Sequence, residues 1–134
     1  MALLFVTRRA KANAGQALGI YHICCNLKPG TEDLAFVAAV RGYLDRLQGE
    51  QQLVSYRITR RKLGLAPDGL KEFHLMLEFD DLSQLDGAFA TAAARRDPIE
   101  ELHAAVFGKV AEASFALYRD FPDKVRTELG ANHD

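Results

Sequence analysis

Phe73-His74-Leu75-Met76-Leu77-Glu78-Phe79 is the stretch that decides the fold: its large apolar side chains Phe73, Leu75, Leu77 and Phe79 fall on every second position. Successive side chains of a strand point to opposite faces, so this segment reads as a strand with one face for a core. The other face carries His74, Met76 and Glu78. Upstream, residues 53–63 repeat the pattern, with Val54, Tyr56 and Ile58 on one side and Ser55, Arg57, Thr59 and Arg61 on the other. Between the two lie Gly64, Pro67, Asp68 and Gly69, turn formers spread over too many positions for a two-residue hairpin. The pair is an antiparallel hairpin with a longer connection.

Working outward, residues 20–27 are rich in strand formers and stop at the turn signal Lys28-Pro29-Gly30. A helix follows, with Thr31 as its expected N-cap and Glu32 and Asp33 in the first turn, where carboxylates favour the helix dipole. Leu34, Val37, Val40, Leu44 and Leu47 recur at spacings of three and four, Phe36 and Tyr43 widen that stripe, and Gly49 is the expected stop. After the hairpin, Asp81 is placed to cap a second helix with Gln84 as its box partner, and Leu82, Leu85, Phe89 and Ala92 form its stripe. Asp97-Pro98 restarts a helix whose buried side is expected to be Ile99, Leu102, Val106 and Val110. Residues 114–118 read as a short fourth strand ending near Phe121-Pro122.

Strand, helix, two strands, helices, strand is the ferredoxin-like order β-α-β-β-α-β, an α+β fold with an antiparallel sheet and helices on one face. The helix stripes require the apolar face: Tyr21, Ile23, Val54, Tyr56, Ile58, Phe73, Leu75, Leu77 and Phe79. The opposite face then presents His22, Cys24, Asn26, Ser55, Arg57, Thr59, His74, Met76 and Glu78. Such a face either meets water or faces the same sheet of a second copy across a two-fold axis, closing a barrel-like cavity.

The chain has 134 residues, 49% of them hydrophobic and 26% charged, with a net charge of −1: ordinary globular usage for one core. That balance gives no overall field toward nucleic acid or an anionic membrane, and neither is an expected partner. No apolar run reaches the roughly 18 residues of a membrane span. Residues 20–122 form the expected domain. Residues 1–19 read as an N-terminal arm, since Arg8, Arg9 and Lys11 follow the apolar Leu3-Leu4-Phe5-Val6 instead of preceding it as in a secretory signal. Residues 123–134 read as a polar C-terminal tail. Adjacent Cys24 and Cys25 point to opposite sides of a strand and make no disulfide framework, which fits a reducing cytoplasm.

His22 and His74 fall on one face of adjacent central strands, where imidazoles can transfer protons or simply satisfy each other; these are the candidate catalytic residues. Asn26, Arg57, Glu78, His103 and Tyr118 are the candidate ligand contacts. Arg57 can grip a carboxylate or phosphate, or pair across the hairpin with Glu72 or Glu78. His103 flanks the third helix stripe and can reach a cavity at the sheet end, or rest half in water. His22, Cys24, His74 and Glu78 have metal-ligand chemistry without a recognised ligand spacing, so no metal is assigned and nothing implies a cofactor. No phosphate loop, dinucleotide fingerprint or nucleophile elbow is present.

Tyr21-His22, residues 27–30 (Leu-Lys-Pro-Gly), residues 57–64 (Arg-Ile-Thr-Arg-Arg-Lys-Leu-Gly), Glu72-Phe73-His74 and residues 116–122 (Ala-Leu-Tyr-Arg-Asp-Phe-Pro) resemble the ferredoxin-like dimeric α+β barrel superfamily, and within it an uncharacterised bacterial family. The resemblance spans about residues 20–123. It implies a homodimer and a choice among activities: monooxygenases, isomerases, cyclases, haem degraders and plain ligand-binding modules. The haem degraders are alike in an Asn, Trp and His set; Asn26 and His103 map loosely onto it, but this chain has no tryptophan. Two readings lead: a dimeric small-molecule-binding module, and a cofactor-independent enzyme acting on a small aromatic or oxygenated compound. A nucleic-acid binder ranks last, because Tyr56, Phe73 and Phe79 fall on the helix-facing side, away from any base.

Overall fold

In the computed structural model, which describes residues 19–67 and 69–122, the alternating heptad is strand β3 (Phe73–Phe79), with Phe73, Leu75, Leu77 and Phe79 buried and the residues between them half-buried. It pairs antiparallel with β2 (Ser55–Arg60) on one side and with β1 (Gly19–Leu27) on the other. β1 in turn pairs antiparallel with β4 (Val110–Arg119), so the sheet order is β2-β3-β1-β4. Helices α1 (Asp33–Gly49), α2 (Leu82–Ala93) and α3 (Ile99–Phe107) supply the other layer. The ferredoxin-like α+β order expected from the sequence is the order found. The expected N-terminal arm, apart from its last residue, and the C-terminal tail lie outside the described residues.

The core sits between the helices and the apolar sheet face: Phe36, Val40, Leu44 and Leu47 of α1 pack with Phe73, Leu75, Leu77 and Phe79, joined by Leu53, Leu85, Ile99 and Val106. Phe36 meets Phe73 edge-on, ring centres 5.1 Å apart, the geometry in which the positive rim of one ring faces the negative face of the other. Tyr56 ties β2 to α1 by donating its hydroxyl hydrogen to Asp45 Oδ1 at 2.6 Å.

Several local expectations are corrected. Leu34 is 79% exposed while Phe36 is 0% exposed, so the buried stripe of α1 is turned away from its first leucine. The cap residue is Glu32, not Thr31, and its side chain makes no capping bond. The expected stop at Gly49 is met, since α1 ends there, and the chain then turns at Gln51, which takes the left-handed φ of 61°. Asp81 caps α2 as expected, accepting from Gln84 N at 2.8 Å, but Gln84 Oε1 accepts from Asp80 N instead of closing the box on Asp81. Leu82 and Phe89 are about half exposed, and α2 buries Leu85 and Ala88. β2 is shorter than expected and leaves out Arg61. Val110 belongs to β4 and not to a helix: Gly108 caps α3, and β4 runs for ten residues. β4 is an edge strand of the described sheet, with Phe115 51% and Tyr118 62% exposed.

Candidate functional site

The registers arrange the polar face in rows across the four strands. One row runs Arg57, Met76, His22, Ala116; its neighbours run Thr59, His74, Cys24, Ser114 and Ser55, Glu78, Ile20, Tyr118. Each row exists because strand alternation sends its members to the side away from the helices. His22 and His74 occupy neighbouring rows on the two central strands, and the diagonal between them is short: His22 Nδ1 lies 2.7 Å from His74 Nε2. The ring centroids are 4.9 Å apart and the planes 30° from parallel, so the rings meet edge to edge along this contact. Tyr118 stands edge-on to His22 at 4.7 Å on the other flank. Burial, and then the charge of His74, hold the His22 imidazole below its ordinary pKa, so its neutral form is favoured.

Such a contact needs one ring to donate and the other to accept, which two neutral rings in complementary tautomers supply. Neither imidazole makes another hydrogen bond among the described residues, which leaves His22 Nε2 and His74 Nδ1 available. Thr59 holds the β3 backbone beneath the pair, its hydroxyl donating to the His74 carbonyl at 2.8 Å. Both histidines remain half-buried.

The other candidates divide. Glu78 is on the face, accepting from Ser55 Oγ at 2.8 Å, and Ser55 is 2% exposed. The expected pairing of Arg57 with Glu78 or Glu72 is not formed: Arg57 is exposed and makes no ion pair among the described residues. Glu72 is instead held by Arg60 at 3.2 Å, and Arg60 also reaches Asp33 at 2.9 Å. Asn26 is a brace more than a free contact. Its Nδ2 donates to Glu112 Oε2 at 3.2 Å and its Oδ1 accepts from Glu72 N at 2.9 Å, tying β1 to both neighbours. It borders an open polar cleft of about 550 Å³ shared with Thr31, Asp33, Arg60 and Glu72.

His103 does not join the site. It lies in the helix layer, stacked on Phe107 at 4.4 Å and edge-on to Tyr43 at 5.4 Å, on the far side of the sheet from His22. Its pKa is lowered, first by burial. Sequence reasoning passed over Ser55, Thr59, Met76, Ser114 and Ala116 as site members. Alternation had placed the first three on the polar face, while the last two depend on the β4 register. Cys25 turns toward the core and burial pushes its thiol up to about 11, while Cys24 stays on the polar face; both are free thiols. Among the described residues no group of three or more His, Cys, Asp or Glu side chains is placed to hold a metal ion. No described helix is long and apolar enough to cross a membrane.

Solved structures share this architecture. A DABB family protein with a ferredoxin-like fold from Mesorhizobium loti superposes with a TM-score of 0.55 at 15% identity, covering 77% of this chain and 96% of its own. A dimeric ferredoxin-like protein of unknown function from Thermobifida fusca gives 0.52 at 17% identity, covering 75% and 90%. Hydroxynitrile lyase from Passiflora edulis gives 0.57 at 12% identity, covering 78% and 94%. At such identities the likeness establishes the fold alone. No curated protein matches the sequence. The family model described as "Family of unknown function (DUF6614)" matches residues 18–132.

Proposed function

The chain belongs to this family of unknown function, and from that premise we propose that it works as a homodimer whose two polar sheet faces enclose a pocket for a small molecule. The observation that carries the reading is the half-buried His22–His74 contact on a face that mixes Met76 and Ala116 with Arg57, Glu78 and Tyr118. Pockets combine apolar walls with a few convergent polar groups, and this face carries both. Tyr118, in register with Ile20 on the polar face and 62% exposed, supports a second copy as the cover of that face. So does the dimeric description of the Thermobifida fusca structure. The free thiols Cys24 and Cys25 suit the cytoplasm. No nucleic-acid role is proposed, because Tyr56, Phe73 and Phe79 serve the core side.

A second reading, a cofactor-independent enzyme of monooxygenase, isomerase or cyclase type, draws on the same imidazole contact, since His22 Nε2 and His74 Nδ1 can each meet a ligand. The hydroxynitrile lyase of Passiflora edulis is an enzyme on a similar fold, which is support by analogy. Native mass spectrometry of the full chain tests the main reading. It expects a mass of two chains, with a retained small molecule or one acquired from a metabolite mixture. A monomer under conditions that preserve dimers of similar size contradicts it.

A further inference from the structure

We infer that the His22–His74 pair is a charge-neutral proton relay for a small enolisable 2-oxo acid, moving one proton between the oxygen and the carbon of the same substrate. This deepens the pocket reading and rests on it. The inference starts from counting protons. Two neutral imidazoles carry two N–H protons, and one of them must occupy the 2.7 Å bridge between His22 Nδ1 and His74 Nε2. Whichever ring donates in the bridge, its own outer nitrogen is bare and the other ring's outer nitrogen carries a proton. The pair therefore always presents one base and one acid to the pocket, and a shift of the bridging proton exchanges the two roles.

With His22 donating, the step runs as follows. The enol O–H gives its proton to His22 Nε2, His22 Nδ1–H passes its proton to His74 Nε2, and His74 Nδ1–H delivers its proton to the substrate carbon as the carbonyl forms. One O–H bond and two N–H bonds break; two N–H bonds and one C–H bond form. No electrons are gained or lost, and no further reactant is needed. The pair ends neutral in the opposite tautomer, ready for the reverse step or for reset by exchange with water. A lone histidine cannot do this without a charged intermediate, which a partly dry pocket disfavours.

The rest of the row supplies the substrate class. Arg57 sits in register with Met76, which sits in register with His22. Two strand spacings separate Arg57 from His22, about 10 Å between backbones. That distance suits a compact molecule whose carboxylate meets the guanidinium while its enolisable end meets the imidazoles. Met76 and Ala116 flank His22 in the same row and give an aryl or alkyl group an apolar floor.

The test follows enol-to-keto conversion of phenylpyruvate by the purified full chain, with His22→Gln, His74→Gln and Arg57→Gln variants. Saturation-transfer NMR reads phenylpyruvate binding, circular dichroism reads folding and light scattering reads assembly. Glutamine keeps a hydrogen bond but transfers no proton. The relay predicts acceleration of about a hundredfold or more over buffer, the usual reach of a positioned acid–base pair. Each histidine substitution removes all of it with binding retained, and Arg57→Gln raises KM while kcat holds. Binding without acceleration, or a single histidine variant that keeps a tenfold acceleration, overturns the relay and leaves the pocket standing. A monomer that does not bind phenylpyruvate overturns both.

Discussion

Replacing Phe36 by alanine, beside Leu34→Ala as its partner experiment, tests how α1 is seated on the sheet. Phe36 is fully buried and meets Phe73 edge-on at 5.1 Å, whereas Leu34, two residues earlier, is 79% exposed. Truncating a buried phenylalanine costs about 3–5 kcal/mol, the cavity term included. Only about a fifth of Leu34 is covered, and full burial of a leucine is worth roughly 2 kcal/mol, so its truncation costs about 0.4 kcal/mol. With a urea m-value of about 2 kcal/mol per molar, the midpoint falls by about 2 M for Phe36→Ala and about 0.2 M for Leu34→Ala. The chain has no tryptophan, so far-UV circular dichroism is the probe. Protein concentration is held fixed because the proposed pairing with a second copy would link the midpoint to it. Equal shifts for the two variants would refute the seating of α1, and with it the outward presentation of the polar face.

Three more outcomes are expected. The folded state holds His22 below its ordinary pKa, so between about 6.5 and that lower value the unfolded chain binds the extra proton and stability is lost as pH falls; urea midpoints from pH 7.5 down to 5.5 therefore drop more for wild type than for His22→Gln. Iodoacetamide modifies Cys24 well before Cys25, whose thiol is buried and pushed up to about 11, and peptide mapping reads the order; equal rates contradict the inward placement of Cys25. Asp81→Ala removes the cap on Gln84 N and costs about 1 kcal/mol in urea unfolding, while Asp81→Asn costs only a few tenths.

Much of the architecture was legible because period-two alternation in β3 is unbroken and fixes both faces at once. The same alternation put His22 and His74 on one face. Their diagonal contact was not legible, since it depends on a register between β1 and β3 that sequence alone leaves open. α1 was placed correctly but rotated: Leu34 and Phe36 both fit a widened stripe, and contact with Phe73 selects the aromatic. The start of β4 was misread because Leu102, Val106 and Val110 continue a four-residue spacing through Gly108, where the helix ends. β4 also lacks burial contrast within a single chain, so alternation had little to mark. His103 was placed with the site because a residue one position off a helix stripe can face either way; packing on Tyr43 and Phe107 decides it.

Oxidative footprinting at Met76 as a function of protein concentration tests most directly whether the polar faces meet. Met76 lies at the middle of that face, beside His22 and Arg57, and the chain's other methionine is Met1. Pairing through the polar faces predicts that Met76 is protected from hydroxyl radicals in concentrated protein and becomes reactive on dilution, while Phe89 on the helix side reacts alike in both. A chain whose Met76 oxidises at one rate across the dilution series, with the chain's mass doubled at the concentrated end, would contradict it.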